Sequence, residues 1–329
     1  MNQQTRRAFL AGTAASAFGL AAGARYIQKP NDKQALIAIS LDLEMSRNFP
    51  KWEDTFWDYE KGNLNEQTKK YTQEACARVK ASGGVVHCFA LGRTMEQENV
   101  DWLKRIIQDG HFVGNHTYDH VYLLAEKHQD LQFRFSRSPW LIEGKSVPQV
   151  IEENISLAAT AINTRLGIRP SGFRTPGGFA QGLSDKPKVR ALLKKLGYSW
   201  VSSKYPSHPA AKPGVEPDND FFQALVKAQT AAQPFRYPDG LVEIPMSPIS
   251  DIGAFRTGRW KLDWFLKAVR AGVEWALENR AVFDFLGHPS CLYVVDPEFK
   301  TIELICELVK KSGKGRIVGL EEFTTRAAG

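Results

Sequence analysis

Histidine is scarce in this chain of 329 residues, which holds seven. Cysteine is scarcer. Cys76, Cys88, Cys291 and Cys306 form no Cys-x-x-Cys pair, which excludes a cysteine-based zinc ribbon or a thioredoxin-type redox site. Cys76 and Cys306 sit in helical patterns and Cys88 in a strand pattern, so they read as small apolar core residues. Their even number still leaves room for one or two bridges. Basic residues outnumber acidic ones, for a formal net charge of +7, but no block of like charge exists. A nucleic-acid footprint would be clustered, so none is expected. The mild positive balance suits approach to anionic polymers. Repeats, low-complexity tracts and clean linkers are also missing. Beyond residue 24 no run is long and apolar enough to span a bilayer.

The first 24 residues have the three parts of an export signal. Thr5-Arg6-Arg7-Ala8-Phe9-Leu10 is a basic start, an uncharged Ala/Gly-rich centre follows, and Ala22-Gly23-Ala24 offers small residues before a cut ahead of Arg25. The paired arginines resemble the twin-arginine type. The centre is poor in large side chains and would sit weakly in a bilayer, so cleavage is favoured over an uncleaved anchor. The expectation is an exported protein, periplasmic or secreted, whose precursor engages the twin-arginine machinery. Residues 25–329 then form a single domain, without a predicted oligomeric state.

Strand and helix patterns alternate along that domain. Strands are expected at Ala35 to Glu44, Val85 to Ala90, His111 to Gly114, Tyr198 to Val201, Leu241 to Pro245, Ala281 to Gly287 and Arg316 to Val318. Helices are expected near Leu64 to Ser82, Val100 to Gln108, Leu262 to Leu277 and Glu298 to Lys311. Another starts from the capping-box pair Ser146 and Gln149 and carries Ile151, Ile155, Ala158, Ile162 and Leu166 on one stripe. A further stripe comprises Val189, Leu192, Leu193 and Leu196, and residues 207–220, rich in Pro and Ala, read as a loop. This order predicts an α/β fold with a mainly parallel sheet. About seven such units close into a distorted (β/α) barrel, whose chemistry belongs at the C-terminal strand ends.

Two of the seven histidines stand four apart in Gly114-Asn115-His116-Thr117-Tyr118-Asp119-His120. On a helical turn that spacing puts two imidazoles on one face, where they can ligate one zinc ion. The spacing equally fits an exposed turn. Asp42 and Glu44 end the first strand, and residues two apart on a strand share a face. Two carboxylates aimed at one place after an apolar run call for a cation. One carboxylate with two imidazoles is a three-ligand set that leaves a position open to water, as in catalytic zinc sites. Arg174, before Pro176-Gly177-Gly178, is suited to orient a buried carboxylate. Pro289 biases His288 to an extended backbone at the end of a late strand.

Together these pieces resemble the polysaccharide deacetylase family, of carbohydrate esterase type, which carries the nodulation-protein (NodB) homology domain. The family motif His-Ser/Thr-x-x-His is matched by His116-Thr117-Tyr118-Asp119-His120, Arg-x-Pro-x-Gly by Arg174 to Gly178, and Leu-x-His by Leu286-Gly287-His288. The resemblance spans roughly residues 35 to 320. It implies a metal-dependent hydrolase that removes N- or O-acetyl groups from a carbohydrate polymer, not a peptidase. It also implies a divalent metal, with zinc first, on Glu44, His116 and His120. Asp42 would be the base, held by Arg174, and His288 the acid, with a backbone N–H near Gly177 to Phe179 on the oxyanion. The family's usual Thr-Phe-Asp-Asp is here Ser40-Leu41-Asp42-Leu43-Glu44, an Asp-x-Glu form in which the two acids could exchange roles. Val201 stands where the family often has the acid that tunes its histidine. Asp251, Asp263 and Asp284 remain as substitutes.

Three other activities share parts of this pattern. A zincin-type protease needs Glu directly after its first histidine, and Thr117 stands there. A hydrolase of cyclic imides or purine ureides shares this fold, and His288-Pro289 and Val242-Glu243-Ile244-Pro245 fit that branch, although export argues against it. An inactive carbohydrate-binding relative should have lost a ligand or the base, yet all these positions are filled. Phe49, Trp52, Phe56, Trp57 and Tyr59 follow the first strand and are expected to cover the barrel mouth more than to stack on sugars.

Overall fold

The computed structural model describes residues 34–56 and 61–327. The proposed export signal therefore lies outside the described residues, as do Trp57 and Tyr59. Among the described residues no helix is long and apolar enough to cross a membrane.

The apolar run after Ala35 forms β1 (Ala35–Leu43), and all nine residues are buried. A strand covered on both faces needs this unbroken hydrophobicity. The sheet continues with β2 (Val86–Ala90), β3 (Phe112–Asn115), β4 (Gly172–Phe179), β5 (Trp200–Lys204), β6 (Phe235–Arg236), β7 (Val242–Glu243), β8 (Val282–Gly287) and β9 (Gly315–Ile317). Their order is β6-β7-β5-β4-β3-β2-β1-β8, with β9 also on β1. All pairings are parallel except β6 with β7. The gap between β7 and β8 is bridged by Ser247, whose N–H donates to the Asp284 carbonyl and whose hydroxyl accepts from the Asp284 N–H. The result is the distorted α/β barrel expected from the element order.

Helices α1 (Glu66–Ala81), α2 (Asp101–Gln108), α3 (Val147–Leu166), α4 (Pro187–Lys195), α5 (Asn219–Gln229), α6 (Leu262–Asn279), α7 (Pro289–Val295) and α8 (Lys300–Ser312) complete the fold. Ser146 and Gln149 do form the capping box of α3, and Gly167 ends it in the left-handed region. Helix α5 was not anticipated. Asp218 caps it by accepting from the Phe221 N–H at 2.9 Å, just past the last proline of the 207–220 loop. All four cysteines are buried and free, so no bridge forms.

The pleat of β1 sorts its side chains into two sets. Ala35, Ile37, Ile39, Leu41 and Leu43 join the outer core beneath the helices. Leu36 and Ala38 face inward with Phe89, Trp200, Val242 and Val282, and Ser40 and Asp42 follow on the same inward side. The barrel interior thus has an apolar floor. Above it lies a polar layer, and the acids ending β1 come next.

Candidate active site

In that polar layer Arg174 is fully buried. Its Nη2 donates to Asp284 Oδ2 at 2.7 Å and to Ser40 Oγ at 2.9 Å, and Ser40 in turn donates to the Phe285 carbonyl at 3.1 Å. The guanidinium also lies over the Phe89 ring, 4.6 Å from its centroid. The sequence places the arginine after a strand signal and before the Pro-Gly turn, with Asp42 as the acid it holds. It lies within β4, and its Nη1 is 3.7 Å from Asp42 Oδ1, an ion pair at longer range. Position 284, on the neighbouring face of β8, offers the closer carboxylate. Burial pushes Asp42 and Asp284 above the usual carboxylate range, and the Arg174 charge only partly offsets it.

The histidine pair is held by a loop, not a helical turn. Thr117 and His120 have positive φ, 65° and 64°, a costly conformation for a β-branched residue. The loop is pinned from several sides. Asn115 Oδ1 accepts from the Thr117 N–H, Asn154 Oδ1 accepts from the Tyr118 and Asp119 N–H groups, and Thr117 Oγ1 accepts from the Val121 N–H. Asp119 is spent on this scaffold, taking hydrogen bonds from Asn154 and Arg134.

His116 Nδ1 donates to the Arg174 carbonyl at 3.0 Å, which leaves Nε2 with a free lone pair. That Nε2 lies 3.7 Å from Glu44 Oε2 and 3.7 Å from Asp42 Oδ2. His120 Nε2 lies 2.9 Å from Glu44 Oε2. One donor atom from each of Glu44, His116 and His120 falls within 4.8 Å of the others. Burial keeps both imidazoles neutral, each lowered to about 4. Burial alone would raise Glu44, but its contact with His120 and the Lys61 charge outweigh that and hold it well below the usual range. Glu44 Oε2 is buried, and the groups that face it are the Nε2 atoms of His116 and His120. A neutral imidazole pair around a buried carboxylate oxygen fits a divalent ion.

Lys61 is the feature that sequence reasoning missed. Its buried ammonium pairs with Glu44 Oε1 and lies 3.4 Å from His120 Nε2. It comes from a loop whose sequence has no periodicity to read.

His288 Nε2 is 3.9 Å from Glu44 Oε1. Its Nδ1 donates to Asp251 Oδ1 at 2.8 Å, and its backbone N–H donates to Asp251 Oδ2 at 2.6 Å. Of the three substitutes for the missing acid, Asp251 meets the histidine. Asp284 serves Arg174, and Asp263 lies in the first turn of α6. Burial alone would lower His288, but the Asp251 charge outweighs it and raises it. Glu243, in the strand that fitted the cyclic-imide branch, is structural. Its carboxylate accepts from Ser203 and Lys204 N–H groups and from the Ser203 and Tyr237 hydroxyls.

These groups floor a cleft of about 580 Å³, within the usual size for small-molecule sites. Gly177 and Gly178 line one wall. Gly177 has φ +76°, and a Cβ on Gly178 would meet Tyr205 Cβ at 2.6 Å, so backbone reaches the cleft where side chains would not fit. Of the aromatics after β1, Phe49 is buried, whereas Trp52 lines the cleft with Arg259 stacked 4.8 Å from its ring centroid. Phe56 is exposed.

Comparison with known proteins agrees with this geometry. No curated protein matches the chain. Three crystal structures share the fold. One is a protein of Mycobacterium smegmatis named as a polysaccharide deacetylase, at 14% identity, TM-score 0.58, covering 91% of this chain and 92% of that one. Another, so named from Pseudomonas aeruginosa PAO1, has 13% identity, TM-score 0.61 and coverage of 91% and 92%. PuuE allantoinase has 12% identity, TM-score 0.60 and coverage of 90% and 91%. The family model for polysaccharide deacetylase matches residues 55–201, a stretch that holds His116, His120 and Arg174 but not Asp42, Glu44, Asp251 or His288. Residues 55–201 therefore carry the polysaccharide deacetylase family signature, set in the fold that its solved relatives share.

Proposed function

We propose that the chain is a metal-dependent hydrolase that removes acetyl groups from a carbohydrate polymer. The observation that carries this reading is the meeting of Glu44, His116 and His120 between a buried acid, Asp42, and a carboxylate-clamped histidine, His288. A divalent ion on the three ligands, zinc by donor type, would acidify water and polarise the acyl carbonyl.

The chain's own groups divide the proton work. Asp42, ionised and 3.7 Å from His116, takes a proton from the attacking water. Its raised pKa makes it a stronger base than an exposed aspartate. As the bond from acyl carbon to nitrogen or oxygen breaks, His288 Nε2–H gives its proton to the leaving group. Asp251 keeps that imidazole charged and oriented. Arg174 sets the field under Asp42 and, through its carbonyl, the tautomer of His116. A backbone N–H at Gly177 to Phe179, where Gly177 and Gly178 line the cleft, would hold the oxyanion. Residues 1–24 are proposed to direct export, which places the enzyme beside extracellular polymers.

The test is acetate release by zinc-loaded protein from acetylated sugars, run beside ring opening of allantoin. The second substrate represents the cyclic-amide reading, supported by the shared fold of PuuE allantoinase. His116→Ala should lose bound zinc and activity together. Asp42→Asn should keep zinc and lose activity by about a hundredfold or more. Full turnover by Asp42→Asn removes the base assignment, and ring opening without acetate release replaces the proposed substrate.

A further inference from the structure

The cleft holds more positive charge than its catalytic groups use. Arg47 leaves the loop after β1, and Arg256 rises from a π-helical turn, Ile252–Thr257, that begins beside Asp251. Both line the same cleft as Asp42 and His288. Arg256 is half-buried and Arg47 exposed. Among the described residues, neither guanidinium has a carboxylate within ion-pair distance. The buried arginines of the fold do find one, Arg174 in Asp284 and Arg190 in Asp239.

The two arginines also repel each other. Burial disfavours the charged form of Arg256 most; the Glu44 charge supports that form, Arg47 opposes it, and Asp251 adds further support. Among the described residues no protein group takes the donors of the Arg256 guanidinium, so all five are open to an anionic ligand. Glu44 cannot serve, because one oxygen is taken by Lys61 and the other faces the imidazoles. A bound divalent ion on Glu44 would leave the wall more positive still. Two planar forks at a cleft mouth match a carboxylate bidentately.

We propose that Arg47 and Arg256 form an anion subsite, and that the sugar deacetylated here carries a carboxylate on or next to the acylated residue. This rests on the deacetylase reading and narrows it from neutral polymers to acidic ones. The enzyme would then act before or after reactions that build or cut uronate-bearing or similarly carboxylated glycans.

The experiment compares two N-acetylated tetrasaccharides on zinc-loaded full-length protein. One is hyaluronan tetrasaccharide, which carries uronate carboxylates, and the other is neutral chitotetraose. Affinity is measured by calorimetry and turnover by acetate release. The acidic sugar should bind at least about tenfold more tightly, as expected for hydrogen bonds to a charged group. Arg256→Gln and Arg47→Gln should each lower that ratio, and the double variant should bring it to within about twofold. Arg256→Lys, which keeps charge but not the fork, should fall between. Equal or weaker binding of the acidic sugar, no binding of either, or an unchanged ratio in folded variants overturns the subsite. Acidic preference in binding without acetate release leaves the subsite standing and removes the deacetylase reading. Acetate release that is equal for both sugars does the reverse.

Discussion

Replacing Arg174 by Met should expose how much of this fold rests on one buried charge. The guanidinium is fully buried, bonded to Asp284 at 2.7 Å and 3.7 Å from Asp42. Methionine fills much of the volume but leaves two buried carboxylates without their cation. Removing one partner of a buried ion pair costs about 3–5 kcal/mol. Here the second acid, Asp42, also loses its counter-charge, so the upper end is expected at neutral pH. The sign with pH follows from linkage. Both acids sit above their ordinary value of 3.8 in the folded protein. A group raised on folding contributes stability below its unfolded pKa and loses it as pH rises through the folded one. Without Arg174 both acids rise further, so the window of loss widens upward. The variant's deficit should be small where the carboxyls are protonated and grow from the ordinary carboxylate range toward neutral pH. Urea denaturation of wild type, Arg174→Met and Arg174→Met/Asp284→Asn across that range provides the assay. The double variant should recover part of the loss, because one of the stranded charges is gone. A deficit under about 1 kcal/mol at neutral pH, or one that does not change with pH, would refute the account.

Other outcomes follow from the same geometry. Asp251→Asn removes the charge that raises His288. Activity is lost above the pKa of a required acid, so the alkaline limb of the rate profile should move to lower pH, and an unmoved limb would detach Asp251 from the histidine. Lys61→Met removes a cation paired with Glu44, the carboxylate of the proposed metal site. Zinc affinity by competitive titration should rise about tenfold or more as this repulsion disappears, whereas a loss of affinity would make Lys61 a support of the site. Gly178→Ala should lower activity with little loss of bound zinc, because the new Cβ presses on Tyr205 at the cleft wall and not on the ligands. Zinc content by mass spectrometry beside turnover would check this.

The chain itself determined the alternation of strands and helices, and with it the parallel barrel, because hydrophobic periodicity is a local property. It also determined that Asp42 and Glu44 share a face, since the pleat has a period of two. The motifs placed His116, His120 and His288 after strand ends, where the fold brings them together around Glu44. What the local pattern could not contain is any pairing between distant strands. Only the tertiary structure matched Asp251 to His288 across 37 positions and Arg174 to Asp284 across 110. It also turned the supposed helical histidine clip into a loop with two left-handed residues, because Asn154, far along the chain, holds those backbone N–H groups. Lys61 and Arg256 were illegible for the same reason. A cation in a loop has no periodic signature, and its meaning depends on which acids the fold sets beside it.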